Sequence, residues 1–238
     1  MSSSKTLARL AGILYLFVAI GGGFSEYVRL SVRVPGDAVA TAANVAGHAS
    51  LFRLGFVTDL VDFTCFLAVG LLLYAILKPA SPRIAVSMLA VNVVSVAIQA
   101  LNMLNHLGAL LVATDRSYTT GLSSDTVGGL VVLLLDMHAQ GYLIAQIFFG
   151  LFLLPLGYLV YRSGLFPRIL GRILMVGSGG YVAGVVATYL SPGFDSSLAV
   201  YFGIAGGLAE LTFLLWLLIA GVNEEPIRPA PSIEGALA

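Results

Sequence analysis

Long apolar stretches separated by short polar segments run through the whole chain. As a helix, about twenty apolar residues are enough to cross the hydrocarbon core of a lipid bilayer. Six stretches reach this length, and we predict the spans as residues 8–28, 54–77, 84–112, 139–161, 169–190 and 198–222. The pattern therefore predicts an all-α membrane protein, in which residues 1–222 form a single bundle of six transmembrane helices.

The polar segment after the first span contains a further, shorter helix. Asp37 is a favourable N-cap residue, and residues 38–52 are rich in alanine but hold too few large apolar residues to cross the membrane. We predict that this helix lies at the membrane surface. Residues 127–135 are apolar but short, and they form either an interfacial turn or the start of the fourth span. Residues 223–238 contain three prolines and are predicted to be a disordered cytoplasmic tail.

The composition supports an integral membrane protein. Hydrophobic residues make up 58% of the chain and charged residues only 10%, whereas a soluble domain has about 25% charged residues. Because the chain is so apolar, we expect membrane lipid as a partner. The net charge is zero, so we expect no nucleic acid. The single cysteine, Cys65, excludes an internal disulfide, and we interpret it as a buried apolar side chain.

The N-terminus shares one feature with secretory signals. Lys5 and Arg9 precede an apolar run, but a glycine run follows it instead of an A-x-A-like cleavage site. We therefore expect the first span to be retained.

Positive charge predicts the orientation, because Lys and Arg concentrate in cytoplasmic loops. With six spans, both termini lie on one side. That side has eight basic residues: Lys5, Arg9, Lys78, Arg83, Arg162, Arg168, Arg172 and Arg228. The other side has four: Arg29, Arg33, Arg53 and Arg116. The counts place both termini in the cytoplasm of a multi-pass inner-membrane protein.

Polar and ionisable residues interrupt several spans at related depths. Asp59 and Asp62 share a face of the second span, Asp136 and His138 head the fourth, and Glu210 lies near the middle of the sixth. The third span carries a stripe at helical spacing: Asn92, Ser95, Gln99, Asn102 and His106. In the predicted orientation most of these residues, together with Glu26, fall in the outer half of the membrane. We therefore predict one polar chamber in the outer half of the bundle.

A central acid is costly in a membrane, at about 2.5–3.5 kcal/mol on insertion scales. Asp62 and Glu210 should therefore face water, a cation, a histidine or each other, and whether Glu210 holds a proton is left open. His106 and His138 are candidate metal ligands. No H-E-x-x-H or H-x-x-E-H spacing is present, so the sequence leaves open whether a metal binds and identifies no cofactor.

Each of these residues also has a purely structural interpretation. Asp59 and Asp136 could be wetted residues at headgroup level, and the polar stripe of the third span could hold helices together. Small residues at G-x-x-x-G spacing, Gly180 with Gly184 and Gly203 with Gly207, favour packing inside the bundle over a dimer face.

Several phrases in the chain resemble a known family. They include Leu10-Ala11-Gly12-Ile13-Leu14-Tyr15 with its glycine run, Gly36-Asp37-Ala38, Leu51-Phe52-Arg53-Leu54-Gly55, Asp136-Met137-His138, Leu156-Gly157-Tyr158-Leu159-Val160-Tyr161-Arg162-Ser163-Gly164 and Leu165-Phe166-Pro167-Arg168. Together they resemble the bacterial membrane family catalogued as domain of unknown function 4386, over about residues 7–222.

The resemblance implies a six-span inner-membrane protein without an assigned activity. The polar positions shared with that family are Arg53, Asp59, Asp136, His138 and Glu210. The chain departs from the expected pattern at Ala49, where an acid would follow His48, and at Ala139, where a glycine would follow His138.

Three hypotheses for function follow. The first is binding or permeation of a small molecule or ion, with Glu210 and Asp62 as deep acids. The second is an intramembrane enzyme acting on an amphiphile through its histidines and acids, and the third is an accessory or sensor subunit. The candidate ligand-binding or ion-binding residues are Asp59, Asp62, Asn102, His106, Asp136, His138, Glu210, Arg53 and His48. A 238-residue chain is small for a transporter, so a homo-oligomer is an open alternative.

Overall fold

The structure is a computed structural model that describes residues 4–190 and 196–223. Its α-helices are α1 (Ser4–Ser31), α2 (Ala38–Gly47), α3 (Ala49–Leu77), α4 (Pro82–Thr114), α5 (Ser124–Ser163), α6 (Arg168–Leu190) and α7 (Ser196–Ile219), with one 3₁₀ turn, Arg116–Tyr118. No strand occurs within the described ranges. The predicted tail, apart from Asn223, lies outside them.

Six of the helices are long and apolar enough to cross a membrane, which confirms the predicted fold class. They form a ring in which α1, α3, α4, α5, α6 and α7 each pack on the next helix, and α7 closes the ring against α1. We call the end that contains the start of α1 and the end of α7 the terminal end, and the opposite end the distal end. The short helix α2 lies at the distal end, against α4 and α5.

The fourth spanning helix begins earlier than predicted. The predicted span 139–161 lies within α5, one helix of 40 residues that also includes residues 127–135. The Ser123 side chain caps its start by accepting a hydrogen bond from the Thr126 amide. At 1.5 Å per residue α5 is roughly 60 Å long, about twice the hydrocarbon thickness. Its first turns therefore have room to pack on α2, where Gly128 meets the backbone of Ala38.

The predicted short helix over residues 38–52 is divided in two by His48. Asp37 is its N-cap as predicted, and the Asp37 carboxylate accepts a hydrogen bond of 2.8 Å from the Ala40 amide. The helix ends at Gly47, however, and α3 begins at Ala49, five residues before the predicted span. The backbone of His48 is not helical, and its ring nitrogen Nδ1 lies 3.0 Å from the carbonyl oxygen of Asn44.

The terminal half of the ring is packed with apolar side chains from all six spanning helices. Close helix crossings depend on glycines: a Cβ at Gly12 would lie 2.9 Å from the backbone of Leu218, and one at Gly157 would lie 2.7 Å from the carbonyl oxygen of Gly171. Gly180 packs against α7, which agrees with the predicted internal packing. On α7 the close contact is made by Gly206, not by the predicted Gly203 and Gly207.

We expect Gly157→Leu to destabilise the bundle by about 1–3 kcal/mol, because the added side chain would push α5 away from α6. Gly179→Leu on α6 is the matched control, since a Cβ at that position meets nothing within 4 Å. Equilibrium unfolding of the purified variants in mixed micelles measures the difference. Equal stability of the two variants would contradict the packing described here.

Candidate functional site

A cavity of about 670 Å³ lies inside the ring and is lined by residues from all six spanning helices. Its floor is at Glu210, which lies roughly 14 Å from the end of α7 at 1.5 Å per residue. It extends toward the distal end as far as Arg33 and Asp136. The volume is within the range of about 300–1,000 Å³ that is typical of small-molecule sites.

Arg29 is the central charge of the distal half of the cavity. It is only 7% exposed. Its Nη1 donates a hydrogen bond to Oδ2 of Asp59, and its Nε donates one of 2.9 Å to Oε2 of Glu26. Asp59 is itself buried. The ion pair therefore joins α1 to α3 and gives each of the two buried charges a partner.

A second ion pair joins α1 to α5 at the distal mouth of the cavity. Arg33 Nη1 donates a hydrogen bond of 2.7 Å to Oδ1 of Asp136. Both side chains are partly exposed, at 30% and 55%. This pair is therefore solvated, unlike the pair of Arg29 and Asp59, and should contribute little to stability.

Asp62 lies one helical turn from Asp59, deeper in the cavity wall. It is 7% exposed, and its Oδ1 has no hydrogen-bond partner among the described residues. The carboxylate fits against the glycine run of α1: a Cβ at Gly21 would lie 2.9 Å from Oδ1, and one at Gly22 would lie 3.4 Å from Oδ2. These glycines therefore make the space that Asp62 occupies. Cys65, one turn further along α3, is partly buried and unpaired.

Glu210 lies on the cavity floor between two tyrosines. The Tyr15 hydroxyl donates a hydrogen bond to Oε1, and the Tyr181 hydroxyl donates one of 2.7 Å to Oε2. Both carboxylate oxygens therefore accept a hydrogen bond from a tyrosine.

A chain of ring contacts through Phe66 and Phe149 connects the two tyrosines. Phe66 contacts Tyr15 and Phe149 with ring centroids 5.9 Å apart in each case, and Phe149 contacts Tyr181 at 6.2 Å. We call Tyr15, Phe66, Phe149 and Tyr181 the aromatic cage. All four rings line the cavity. Tyr142, whose centroid is 6.0 Å from that of Phe149, extends the aromatic surface along α5.

The polar stripe of α4 faces the bundle interior, but most of it holds helices together. Asn92 donates a hydrogen bond of 3.3 Å to the carbonyl oxygen of Phe66, and Asn102 donates one of 2.9 Å to that of His138. Of the five stripe residues, only Gln99 lines the cavity.

The two candidate metal ligands are close to each other but differ in access. The rings of His106 and His138 lie 5.9 Å apart, and His138 lines the cavity. His106 is fully buried, donates from Nε2 to the carbonyl oxygen of Phe52 at 3.0 Å, and stacks on the Phe52 ring at 3.9 Å. In the described parts of the chain, no group of three or more His, Cys, Asp or Glu residues could hold a metal ion.

The structure brings five of the nine predicted site residues to the cavity: Asp59, Asp62, Asp136, His138 and Glu210. Asn102 and His106 lie behind its wall, in contacts between helices. Arg53 and His48 are exposed and lie outside the cavity.

Sequence reasoning missed Arg29 and the tyrosines that bind Glu210. From the sequence, Arg29 was counted only as a basic residue of the outer side, although its position three residues after Glu26 indicates an ion pair on one helix face. Tyr15 and Tyr181 carry polar hydroxyls inside apolar spans, where a buried hydroxyl needs a partner.

The ring of apolar helices and its charged cavity define a multi-pass helical membrane protein. The chain belongs to the family described as domain of unknown function (DUF4386), whose family model matches residues 10–221. It is 27% identical over 178 residues to an uncharacterized protein of Archaeoglobus fulgidus, in an alignment that covers 74% of this chain and 86% of that protein. No solved structure matches the chain.

We expect Arg29→Met to destabilise the protein by about 3–5 kcal/mol, because Asp59 would keep a buried charge without a partner. Arg33→Met is the matched control and should cost about 0–1 kcal/mol, because its pair with Asp136 is partly exposed. Equilibrium unfolding in mixed micelles compares the two. Adding Asp59→Asn to Arg29→Met should restore part of the loss. A loss no larger than that of Arg33→Met would contradict the central role of Arg29.

Proposed function

We propose that the protein binds a small molecule or an ion in this cavity and admits it from the outer face of the membrane. One observation carries the proposal: charged groups from α1, α3, α5 and α7 converge on a single cavity that is large enough for a small molecule. Such acids within a membrane commonly mark the path of a ligand or ion. In this arrangement Asp62 and Glu210 are the deep groups, and Asp59, Asp136 and His138 lie nearer the entrance.

The proposed orientation places the distal end outside and both termini in the cytoplasm. Four basic residues belong to the distal side, against eight on the terminal side. Two of the four, Arg29 and Arg33, form ion pairs with acids that line the cavity. Of the four, Arg53 near the start of α3 and Arg116 in the 3₁₀ turn remain as charges of the kind that the positive-inside rule counts.

The enzyme hypothesis has less support, because only one of the two candidate histidines lines the cavity. An accessory or sensor subunit that responds to a small molecule would use the same cavity, so a binding test bears on that hypothesis too. The proposal includes the alternative that the chain acts as a homo-oligomer, because 238 residues are few for a transporter.

Filling the cavity should remove bound small molecules. Gly23 lines the cavity, and a Cβ there meets nothing within 4 Å, so the ring in Gly23→Trp would project into the binding space. Gly179→Trp is the matched control, because Gly179 has equally open surroundings on α6 but does not line the cavity. Native mass spectrometry of the gently purified proteins should show small-molecule or single-lipid adducts on wild type and Gly179→Trp that are absent from Gly23→Trp. Identical adducts on all three proteins would refute binding in the cavity.

The cavity should be reachable from outside the cell. In a Cys65→Ser background, a membrane-impermeant thiol reagent added to intact cells should modify Thr120→Cys and Gly23→Cys. It should modify Ser81→Cys only after permeabilisation, because Ser81 lies in the terminal-end turn between α3 and α4. Gel-shift detection of modified protein gives the result. Labelling of Ser81→Cys in intact cells would reverse the orientation, and protection of Gly23→Cys beside a labelled Thr120→Cys would show a closed cavity.

A further inference from the structure

We propose that the ligand of this cavity carries an organic cation, such as a substituted ammonium group, which binds at Glu210 within the aromatic cage. The inference rests on the proposed small-molecule binding and adds the chemical class of the ligand.

The first step is the geometry of the cavity floor. The four rings of the aromatic cage come from α1, α3, α5 and α6, and each contacts the next at a centroid distance of 5.9–6.2 Å. The two outer members, Tyr15 and Tyr181, both donate hydroxyl hydrogen bonds to Glu210 on α7. Aromatic faces attract cations, and proteins commonly bind quaternary ammonium groups in aromatic cages.

The second step is the charge of the lining. Five acids and two arginines line the cavity: Glu26, Asp59, Asp62, Asp136, Glu210, Arg29 and Arg33. Both arginines already form ion pairs with acids that lie nearer the distal end than Asp62 and Glu210 do. Among the described residues, neither Asp62 nor Glu210 forms an ion pair, and Asp62 Oδ1 lacks any hydrogen bond although the residue is 93% buried (7% exposed). A bound cation would supply the missing positive charge and offset the cost of these buried acids.

The third step concerns the type of cation. A metal ion favours a shell of several oxygen or nitrogen ligands. Glu210 instead contacts two aromatic residues, and each of its carboxylate oxygens already accepts a hydrogen bond from a tyrosine hydroxyl. The next lining residues on its own helix, Leu211 and Leu214, are apolar. An organic cation with an apolar surface fits this lining, and the 670 Å³ cavity has room for it.

The test uses two ions of the same shape and opposite charge, tetraphenylphosphonium and tetraphenylborate. Equilibrium dialysis with protein in nanodiscs, corrected with empty nanodiscs, measures saturable binding. We expect saturable binding of tetraphenylphosphonium near one per chain, and none of tetraphenylborate. No saturable binding of the cation, or binding of the anion at least as tight, would overturn the inference.

Variants locate the binding. Glu210→Gln removes the negative charge, and Phe149→Leu removes one ring of the cage while keeping an apolar side chain. Each should weaken tetraphenylphosphonium binding by at least about tenfold. Asp125→Asn at the exposed start of α5 is the control and should change nothing. Because Phe149→Leu keeps the charge and Glu210→Gln keeps the ring, failure of one variant to fold leaves the other as a test. Unchanged affinity in a folded Phe149→Leu or Glu210→Gln variant would overturn the inference.

The cation could belong to a free amine or to a lipid headgroup. Displacement of bound tetraphenylphosphonium distinguishes these sources. Displacement by choline alone indicates a free organic cation, and displacement only by diheptanoyl-phosphatidylcholine indicates a headgroup. Both results support the cationic class, and displacement by neither contradicts it.

The outcomes separate this inference from the proposed function. If Gly23→Trp removes bound adducts but tetraphenylphosphonium does not bind, the ligand class is wrong and binding in the cavity stands. If adducts are unaffected by Gly23→Trp and tetraphenylphosphonium does not bind, both proposals fall.

Discussion

Arg29 places a full positive charge inside a ring of apolar helices, and the distal half of the cavity is arranged around its neutralisation. A charge buried in such surroundings is tolerable only with a partner and additional hydrogen bonds. Asp59 and Glu26 provide both, which fixes the rotation of α1 and α3 about their axes. That rotation also determines which other side chains of these helices face inward. As a result, Asp62 and Gly22 both line the cavity. Asp62 lies three residues after Asp59, and Gly22 lies seven residues before Arg29.

Glycines make room for other polar and aromatic side chains that line the cavity. Asp62 fits against Gly21 and Gly22, and a Cβ at Gly206 would collide with the ring of Tyr181. Without that space the Tyr181 hydroxyl would not reach Glu210. Small residues are usually discussed as a means of bringing helix backbones together. In this protein some of them do so, but others make room for a functional side chain from the neighbouring helix.

Much of the fold followed from hydropathy, because six long apolar stretches leave few alternatives in a membrane. The start of α5 did not follow from hydropathy, because its first turns precede the apolar residues that are needed to cross one bilayer. The Ser123 cap and the contact with α2 stabilise these turns. The depth of each polar residue along its predicted span grouped five side chains that line one cavity in the structure: Asp59, Asp62, Asp136, His138 and Glu210. Depth could not show which residues of the α4 stripe face the cavity and which bond neighbouring helices, because both kinds lie on the same helix face. The aromatic cage was missed because its four rings come from four helices with no fixed spacing in the chain.

The cavity changes character along its length, and this change constrains what can occupy it. At the distal end arginines and acids balance in ion pairs. At the floor a carboxylate accepts hydrogen bonds from two tyrosine hydroxyls and forms no ion pair with a basic side chain among the described residues. A strongly hydrated ion would find few polar groups to replace its water at the floor. A neutral apolar molecule would leave the charge of Glu210 unbalanced. The arrangement therefore favours a ligand that combines positive charge with apolar surface. Such a ligand would enter past the ion pairs of the distal end and bind among the aromatic rings at Glu210.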